Sequence, residues 1–273
     1  MTRVYLSGDP VHDRVLEAFY EGIEGEKELV KDWAYQPSKV AVVFGVYKSR
    51  VPKSFPRGEI FRRQRQKNLD VIVLETGYIN RGDGEHHHYA AGFNGLNGRA
   101  DFRNQDSPED RARKLGVELK PWRKGEYIIL CGQVPWDASV EGSDHLVWLQ
   151  AAADRLRSYS ERPIKFRPHP KAVQAYKSIP GTEVSLVPLE EDLKNAHCVV
   201  TYNSNSAVEA LIDGVPIFAH DMGSMCWQIA NKSLISVDVP NRPDRTEWLN
   251  DLAYAQWTMQ EMRRGEAWRH LLR

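Results

Sequence analysis

The sequence predicts an α/β protein with parallel sheets, arranged as two units. Three observations carry this expectation. Short continuous runs of β-branched and other apolar residues recur along the chain, as strands covered on both faces require. Segments with apolar residues at helical spacing lie between several of these runs. A polar, charged stretch with two prolines, residues 103–126, interrupts the pattern once.

In chain order, the first unit offers strands at 40–44 (VAVVF) and 71–74 (VIVL). After the break, 127–131 (YIILC) starts the second unit. A helix over 144–159 follows, with Leu146, Leu149, Ala152, Ala153 and Leu156 at helical spacing. Strands at 164–166 and 184–187, a short helix at 189–196 and a strand at 198–202 (CVVTY) come next. A helix at 206–212 stops at Gly214 and leads into a strand at 216–219. The spacing of Trp248, Leu249, Leu252, Ala255, Trp257 and Met259 predicts a last helix over 246–262. The units are set at 1–118 and 119–273, with the last helix free to cross back over the first.

The 273 residues carry 37 Lys+Arg and 37 Asp+Glu. Zero net charge excludes indiscriminate coating of nucleic acid. It conceals an uneven distribution: residues 1–32 hold four Lys/Arg and eight Asp/Glu, while 48–67 hold eight Lys/Arg and one Glu. The second segment reads either as a solvated face or as a phosphate-tracking patch, with Arg57, Arg62 and Arg63 as its candidate contacts. No run reaches the roughly 18 apolar residues of a membrane span. Three scattered cysteines make no disulfide framework, and no apolar signal core follows Met1. A cytoplasmic protein without a membrane partner, monomeric or a small homo-oligomer, is the expectation.

The motifs of P-loop nucleotidases, dinucleotide dehydrogenases and nucleophile-elbow hydrolases are absent. Glu85-His86-His87-His88 looks like a metal cluster, but neighbouring strand residues point to opposite faces. No carboxylate at ligand spacing completes a set, so no metal is expected.

The informative segments follow strands of the second unit. Lys165-Phe166-Arg167-Pro168-His169-Pro170 leaves its strand extended, because neither proline continues a helix. Arg167 and His169 then sit at the carboxyl end of a parallel sheet, where α/β ligands bind, and both are apt donors to phosphate. Asn203-Ser204-Asn205-Ser206 follows the 198–202 strand and precedes a helix. Short polar side chains and N–H groups at a helix start form an anion site, with Ser204 or Asn205 as the cap. Glu209 lies one turn in and is the candidate ribose ligand. After 127–131, Gly132 allows close backbone approach, and Gln133, Asp137 and Ser139 are candidate contacts to donor or acceptor. Trp136 is either a stacking surface or core, and His220–Ser224 closes the floor.

These segments resemble the GT-B glycosyltransferases, and within them the sialyl- and Kdo-transferase-like group of capsule and lipopolysaccharide synthesis. His169-Pro170 matches the group's HP motif, Ser204-Asn205-Ser206 its serine motif, and Leu74–Arg81 (LETGYINR) its acidic loop. The resemblance implies two Rossmann-like domains with parallel sheets facing a central cleft. Residues 1–118 would bind the acceptor and 119–273 the nucleotide sugar. The group's base stands at the second acidic position, which is Thr76 here, so Glu75 or Asp83 takes the task. As a whole the chain also resembles small phage glycosyltransferases, on 74–78, 92–104, 132–140 and 247–272. That resemblance implies transfer of a sugar, usually glucose from UDP-glucose, to a hydroxymethylated pyrimidine in DNA. Asn94, Asn97, Arg99 and Asp101 on the Gly-broken loop 92–104 would then read a flipped-out base. The rivals are a capsule or lipopolysaccharide transferase using a CMP- or UDP-sugar, a UDP-sugar epimerase, and a non-catalytic binding module. The expected co-substrate is a UDP-sugar, with no cofactor.

Overall fold

A computed structural model describes residues 1–46, 57–81, 86–140, 143–176 and 178–273. Asp83 and residues 48–56 of the basic segment lie outside the described residues. The chain forms two compact units, Met1–Leu115 with Leu249–Arg273, and Gly116–Trp248. The last 25 residues thus pack with the first unit, although the sequence assigned them to the second while leaving the helix free to cross.

The first unit starts with β1 (Thr2–Tyr5), α1 (Pro10–Gly22), β2 (Lys27–Val30) and β3 (Val40–Phe44). α2 (Arg57–Gln66), β4 (Asp70–Thr76), β5 (His88–Phe93) and α3 (Asp110–Leu115) follow. The second unit holds β6 (Tyr127–Cys131), α4 (His145–Tyr159), β7 (Ile164–Arg167) and β8 (Glu183–Val184). It continues through α5 (Leu189–Leu193), β9 (Ala196–Thr201), α6 (Ser206–Ile212) and β10 (Ile217–Ala219). The chain returns to the first unit within α7 (Thr246–Tyr254) and ends with β11 (Gln256–Thr258), α8 (Met259–Arg263) and α9 (Glu266–Leu271).

The first sheet has the order β11-β5-β4-β3-β1-β2. β1 to β4 are mutually parallel, whereas β5 runs antiparallel to β4 and β11 antiparallel to β5. The expectation of a wholly parallel sheet therefore fails at this edge: β4 and β5 are joined by a short connection, too short for a helical crossover. Val42, Ile72 and Leu74 face a core closed by Val15, Leu16 and Phe19 of α1 and by Trp257 and Trp268 of the returning segment. α1 is set by its cap: Asp9 accepts from the N–H groups of Val11 and His12, and Pro10 fills the first turn.

The last predicted helix, 246–262, is instead α7, β11 and α8. Thr258 and Glu261 form a reciprocal capping box that starts a new helix, and Gln256 to Thr258 pair with β5.

The second sheet is all parallel, in the order β10-β9-β6-β7-β8. The chain moves outward from β6 through β7 to β8, then restarts at β9 and moves to β10. The strand order reverses between β6 and β9, so the loops after these two strands leave a topological switch point in opposite directions.

Candidate functional site

At the switch point of unit 2, two amides interlock. The Nε2 of Gln133 donates to Oδ1 of Asn203 at 2.7 Å, and the N–H of Asn203 donates back to Oε1 of Gln133 at 2.8 Å. Asn203 Nδ2 donates to the Ser139 carbonyl (2.7 Å) and to Oδ1 of Asp221 (2.8 Å), which also accepts from the Gly223 N–H. Both amides are buried. Their hydrogen bonds tie the ends of β6, β9 and β10 together, so the two predicted donor ligands act here as the frame of the site.

His145, which the sequence reading did not single out, is part of this frame. Its Nε2 accepts the Gln133 N–H at 3.0 Å, which places the ring proton on Nδ1, a buried atom with no partner. Burial lowers its pKa from 6.5 to about 4, so the imidazole is neutral at pH 7. Its ring stacks on Trp148 and meets Tyr176 and Tyr202 edge-on. Gly132 suits the same packing: a Cβ there would lie a tight 3.2 Å from the Tyr176 ring and 3.3 Å from Phe166.

The end of β7 carries the arginine and the histidine. Arg167 Nη1 bonds Oδ2 of Asp192 at 3.0 Å and the Val187 carbonyl. Asp192 is 1% exposed and also accepts the Ser185 hydroxyl, which lies 2.9 and 2.8 Å from its two oxygens. The bonds to Arg167 run through Nη1; Nε and Nη2 make none among the described residues. A buried carboxylate therefore orients the fork. His169 Nδ1 accepts the Lys171 N–H at 3.1 Å. With Nδ1 accepting, the ring proton lies on Nε2.

The serine motif behaves differently from the expectation of open amides. The Ser204 N–H donates to Thr201 Oγ1 and the Ser206 N–H to Ser204 Oγ. Asn205 occupies the cap position of α6 without a side-chain capping bond. Ser206 lies against Cys131, whose thiol burial raises to about 11. Glu209 is exposed on α6, and Asp137 is exposed on the β6 loop, where it accepts the Ser139 N–H. Trp136 is exposed beside it, so it is not core.

In unit 1, Glu75 is the penultimate residue of β4 and accepts the Thr76 N–H at 2.9 Å. Gly45, with φ +68°, follows β3; the point where its Cβ would lie is 3.3 Å from Oε2 of Glu75 and 3.4 Å from Nη1 of Arg57. Arg57 Nη1 also donates to the Phe44 carbonyl, and His12, unremarked in the sequence reading, stacks on Phe44 at 4.1 Å. The loop after Glu75 is held by Gln256 of β11. Its Oε1 accepts the N–H groups of Tyr78 (2.6 Å) and Ile79 (3.0 Å), while a Cβ on Gly77 would strike the His88 carbonyl at 2.5 Å.

The remaining predicted residues do not converge on Glu75. Asn94 bonds Val71 N–H and Asp70, at the opposite end of β4, about 13 Å along the strand from Glu75 by the strand rise. Asn97 accepts from the Tyr78 hydroxyl, and Arg99 closes the short 3-10 turn Asn97–Arg99. Arg62 and Arg63 lie further along α2 and share Glu59, and Arg63 also covers the Tyr35 ring. Of the histidine run, His88 Nδ1 bonds the His86 carbonyl and His87 stacks on Tyr89. No three His, Cys, Asp or Glu side chains converge among the described residues.

No protein-family model and no curated protein matches this sequence. Solved structures do match in fold. A chain of Thermosulfurimonas dismutans KpsC described as a beta Kdo 2,4 transferase superposes with a TM-score of 0.57 at 16% identity, covering 93% of this chain and 89% of that one. A beta Kdo 2,7 transferase chain of the same organism's KpsC gives 0.56 at 15% identity, covering 100% and 99%. The α/β fold of this protein is similar to that of these Kdo transferases over nearly its whole length.

Proposed function

We propose that this protein is a GT-B-type glycosyltransferase that takes a sugar from a nucleotide donor. The observation that carries the reading is the set of donors at the β7 and β9 ends, in a fold similar to two Kdo transferases. Arg167 is anchored by Asp192, His169 holds its proton on Nε2, and Ser204 completes the group. In this reading these groups meet the donor's phosphate, and Glu209 meets the ribose. As the anomeric C–O bond breaks, the phosphate oxygen keeps the electron pair, and the cationic and N–H donors stabilise that charge. The acceptor hydroxyl oxygen forms the new bond to the anomeric carbon. Its proton passes to a carboxylate, for which Glu75 and Asp83 are the candidates.

A saccharide acceptor, with a CMP- or UDP-sugar donor, is favoured over DNA. The neighbours in fold are Kdo transferases. The described arginines of the basic segment already have partners: Arg62 and Arg63 share Glu59, Arg57 bonds Phe44, and Arg65 bonds Leu69 and approaches Asp70. Hydroxymethylated DNA is the second acceptor to test, and the segment 48–67 is what speaks for it.

Calorimetry with CMP, UDP and GDP tests the donor site. One of the pyrimidine nucleotides binds, and His169→Ala weakens it roughly 10- to 100-fold, the worth of a hydrogen bond to a charged group. Equal binding by His169→Ala removes the HP segment from the site. Mass spectrometry of nucleosides from hydroxymethylcytosine DNA incubated with enzyme and UDP-glucose tests the second acceptor.

A further inference from the structure

Unit 2 contains a cavity of about 490 Å³ that none of the proposed donor residues lines. Its origin is topological. α4, a 15-residue helix, packs Leu149, Ala152 and Leu156 onto the sheet. Beyond it, the floor at β9 and β10 is roofed by an irregular segment whose regular part is the single 3-10 turn Leu234–Ser236. One turn covers far less length than the helix beside it, and a trough remains along α4.

The trough is elongated and mostly apolar. Trp148 and Tyr159 both line it and stand eleven positions apart on α4, which is about 16 Å of helix. Ala152, Val200 and Phe218 form a buried floor. Trp148 is fixed by edge contact with Tyr202 at 5.3 Å and by His220 at 5.6 Å. Ile235, on the lip, is 70% exposed and extends the apolar lining to the surface.

The charges at the rim are of one sign. Arg155 and Lys232 line the trough, and no acidic residue is among its described lining. Neither has an acidic partner among the described residues; Lys232 sits over the Trp227 ring at 4.7 Å. Arg162, Arg167, Lys120 and Arg123 of the same unit do pair with carboxylates, Asp238, Asp192 and Asp213, whereas Arg157 and Arg245 bond only carbonyls.

A mostly apolar trough with two cations and no carboxylate in its described lining complements an amphiphilic anion. We propose that this cavity binds a single-chain amphiphilic anion, with its hydrocarbon chain along α4 and its anionic head at Arg155 and Lys232. The site adjoins the proposed donor residues through Thr201 and His220, which line it, but the inference does not rest on the glycosyltransferase reading.

The probe is decyl phosphate below its micellar concentration, titrated into the full chain by calorimetry. Inorganic phosphate supplies the head alone and decyl glucoside the chain alone. Saturable binding of decyl phosphate is expected, with each control at least tenfold weaker. The double variant Arg155→Glu/Lys232→Glu should weaken it at least tenfold, and Ser233→Trp, which fills the lip from an exposed position, should abolish it. His169→Ala should bind it unchanged, so that failure of the donor site is distinguishable from failure here. Absence of saturable binding, equal binding of either control, or wild-type binding by both rim variants overturns the proposal.

Discussion

Replacing Gln133 with leucine tests whether the switch point is held by its amide pair. Leucine keeps the approximate volume and removes both hydrogen-bonding atoms. Two buried groups of Asn203 lose their partners, the backbone N–H and Oδ1. The Ser139 hydroxyl, at 3.4 Å, loses a weak contact and is left out of the sum. Each buried polar group left unsatisfied costs about 1–3 kcal/mol, and the leucine regains some apolar burial, so the net cost is about 2–4 kcal/mol. The chain has two units, so one global unfolding free energy is a poor readout. Hydrogen exchange at residues 199–203 reads the local opening, with the amides of α1 in unit 1 as internal reference. The expected loss of protection is roughly 30- to 700-fold, at tenfold per 1.4 kcal/mol. Asn203→Leu should cost more, because Ser139 and Asp221 also lose a donor. The double variant should cost about 2 kcal/mol less than the sum of the singles. A protection change under threefold in Gln133→Leu, or strict additivity in the cycle, refutes the interlock.

Three further outcomes follow from the same bonds. Burial raises the Glu261 carboxyl, but hydrogen bonds from Arg111 and Lys114 outweigh it and lower it from 4.5 to about 2. Its stabilising contribution is therefore complete above pH 4.5 and lost as pH falls toward 2. Glu261→Gln leaves Arg111 buried without a counter-charge and should cost unit 1 about 3–5 kcal/mol in denaturation experiments at pH 7. For His145 the unfolded chain binds a proton near pH 6.5 that the folded protein accepts only near 4. Stability of unit 2 should thus fall as pH drops through that window, by up to about 3 kcal/mol, and an NMR titration of the ring should show a midpoint below 5. Gln256→Leu leaves the Tyr78 and Ile79 amides unsatisfied, for about 2–5 kcal/mol. It should raise exchange at 77–80 and slow any turnover that depends on Glu75, while leaving nucleotide binding by unit 2 intact.

The sheet of unit 2 was legible because its strands are continuous apolar runs separated by turn residues. β1 and β2 were not: each is four residues long, and β2 (KELV), an edge strand, is two charged residues followed by two apolar ones, with no period to read. The segment 246–262 misled because Trp248 to Met259 keep helical spacing throughout. What breaks that helix is tertiary, the pairing of β11 with β5 and the bonds from Gln256 to a loop 177 and 178 residues away. One local sign was present, since Thr258-Met259-Gln260-Glu261 has the capping-box spacing. The strand-end residues of the candidate site stood out for their chemistry. Their partners did not, because Asp192 and His145 lie in helices whose sequence gives no reason to look at them. The loop carrying Asn94 was read only for its base-reading side chains, and its place came from tertiary structure: an antiparallel β5 carries it to the Asp70 end of β4.

The most direct test of the glycosyltransferase reading is mass spectrometry of saccharide acceptors incubated with the enzyme and CMP- or UDP-activated sugars. The account predicts a product heavier by one sugar residue and stoichiometric release of the nucleotide. Both should be lost in His169→Ala. A chain that binds no nucleotide, consumes no nucleotide sugar, or turns it over equally well in His169→Ala contradicts it.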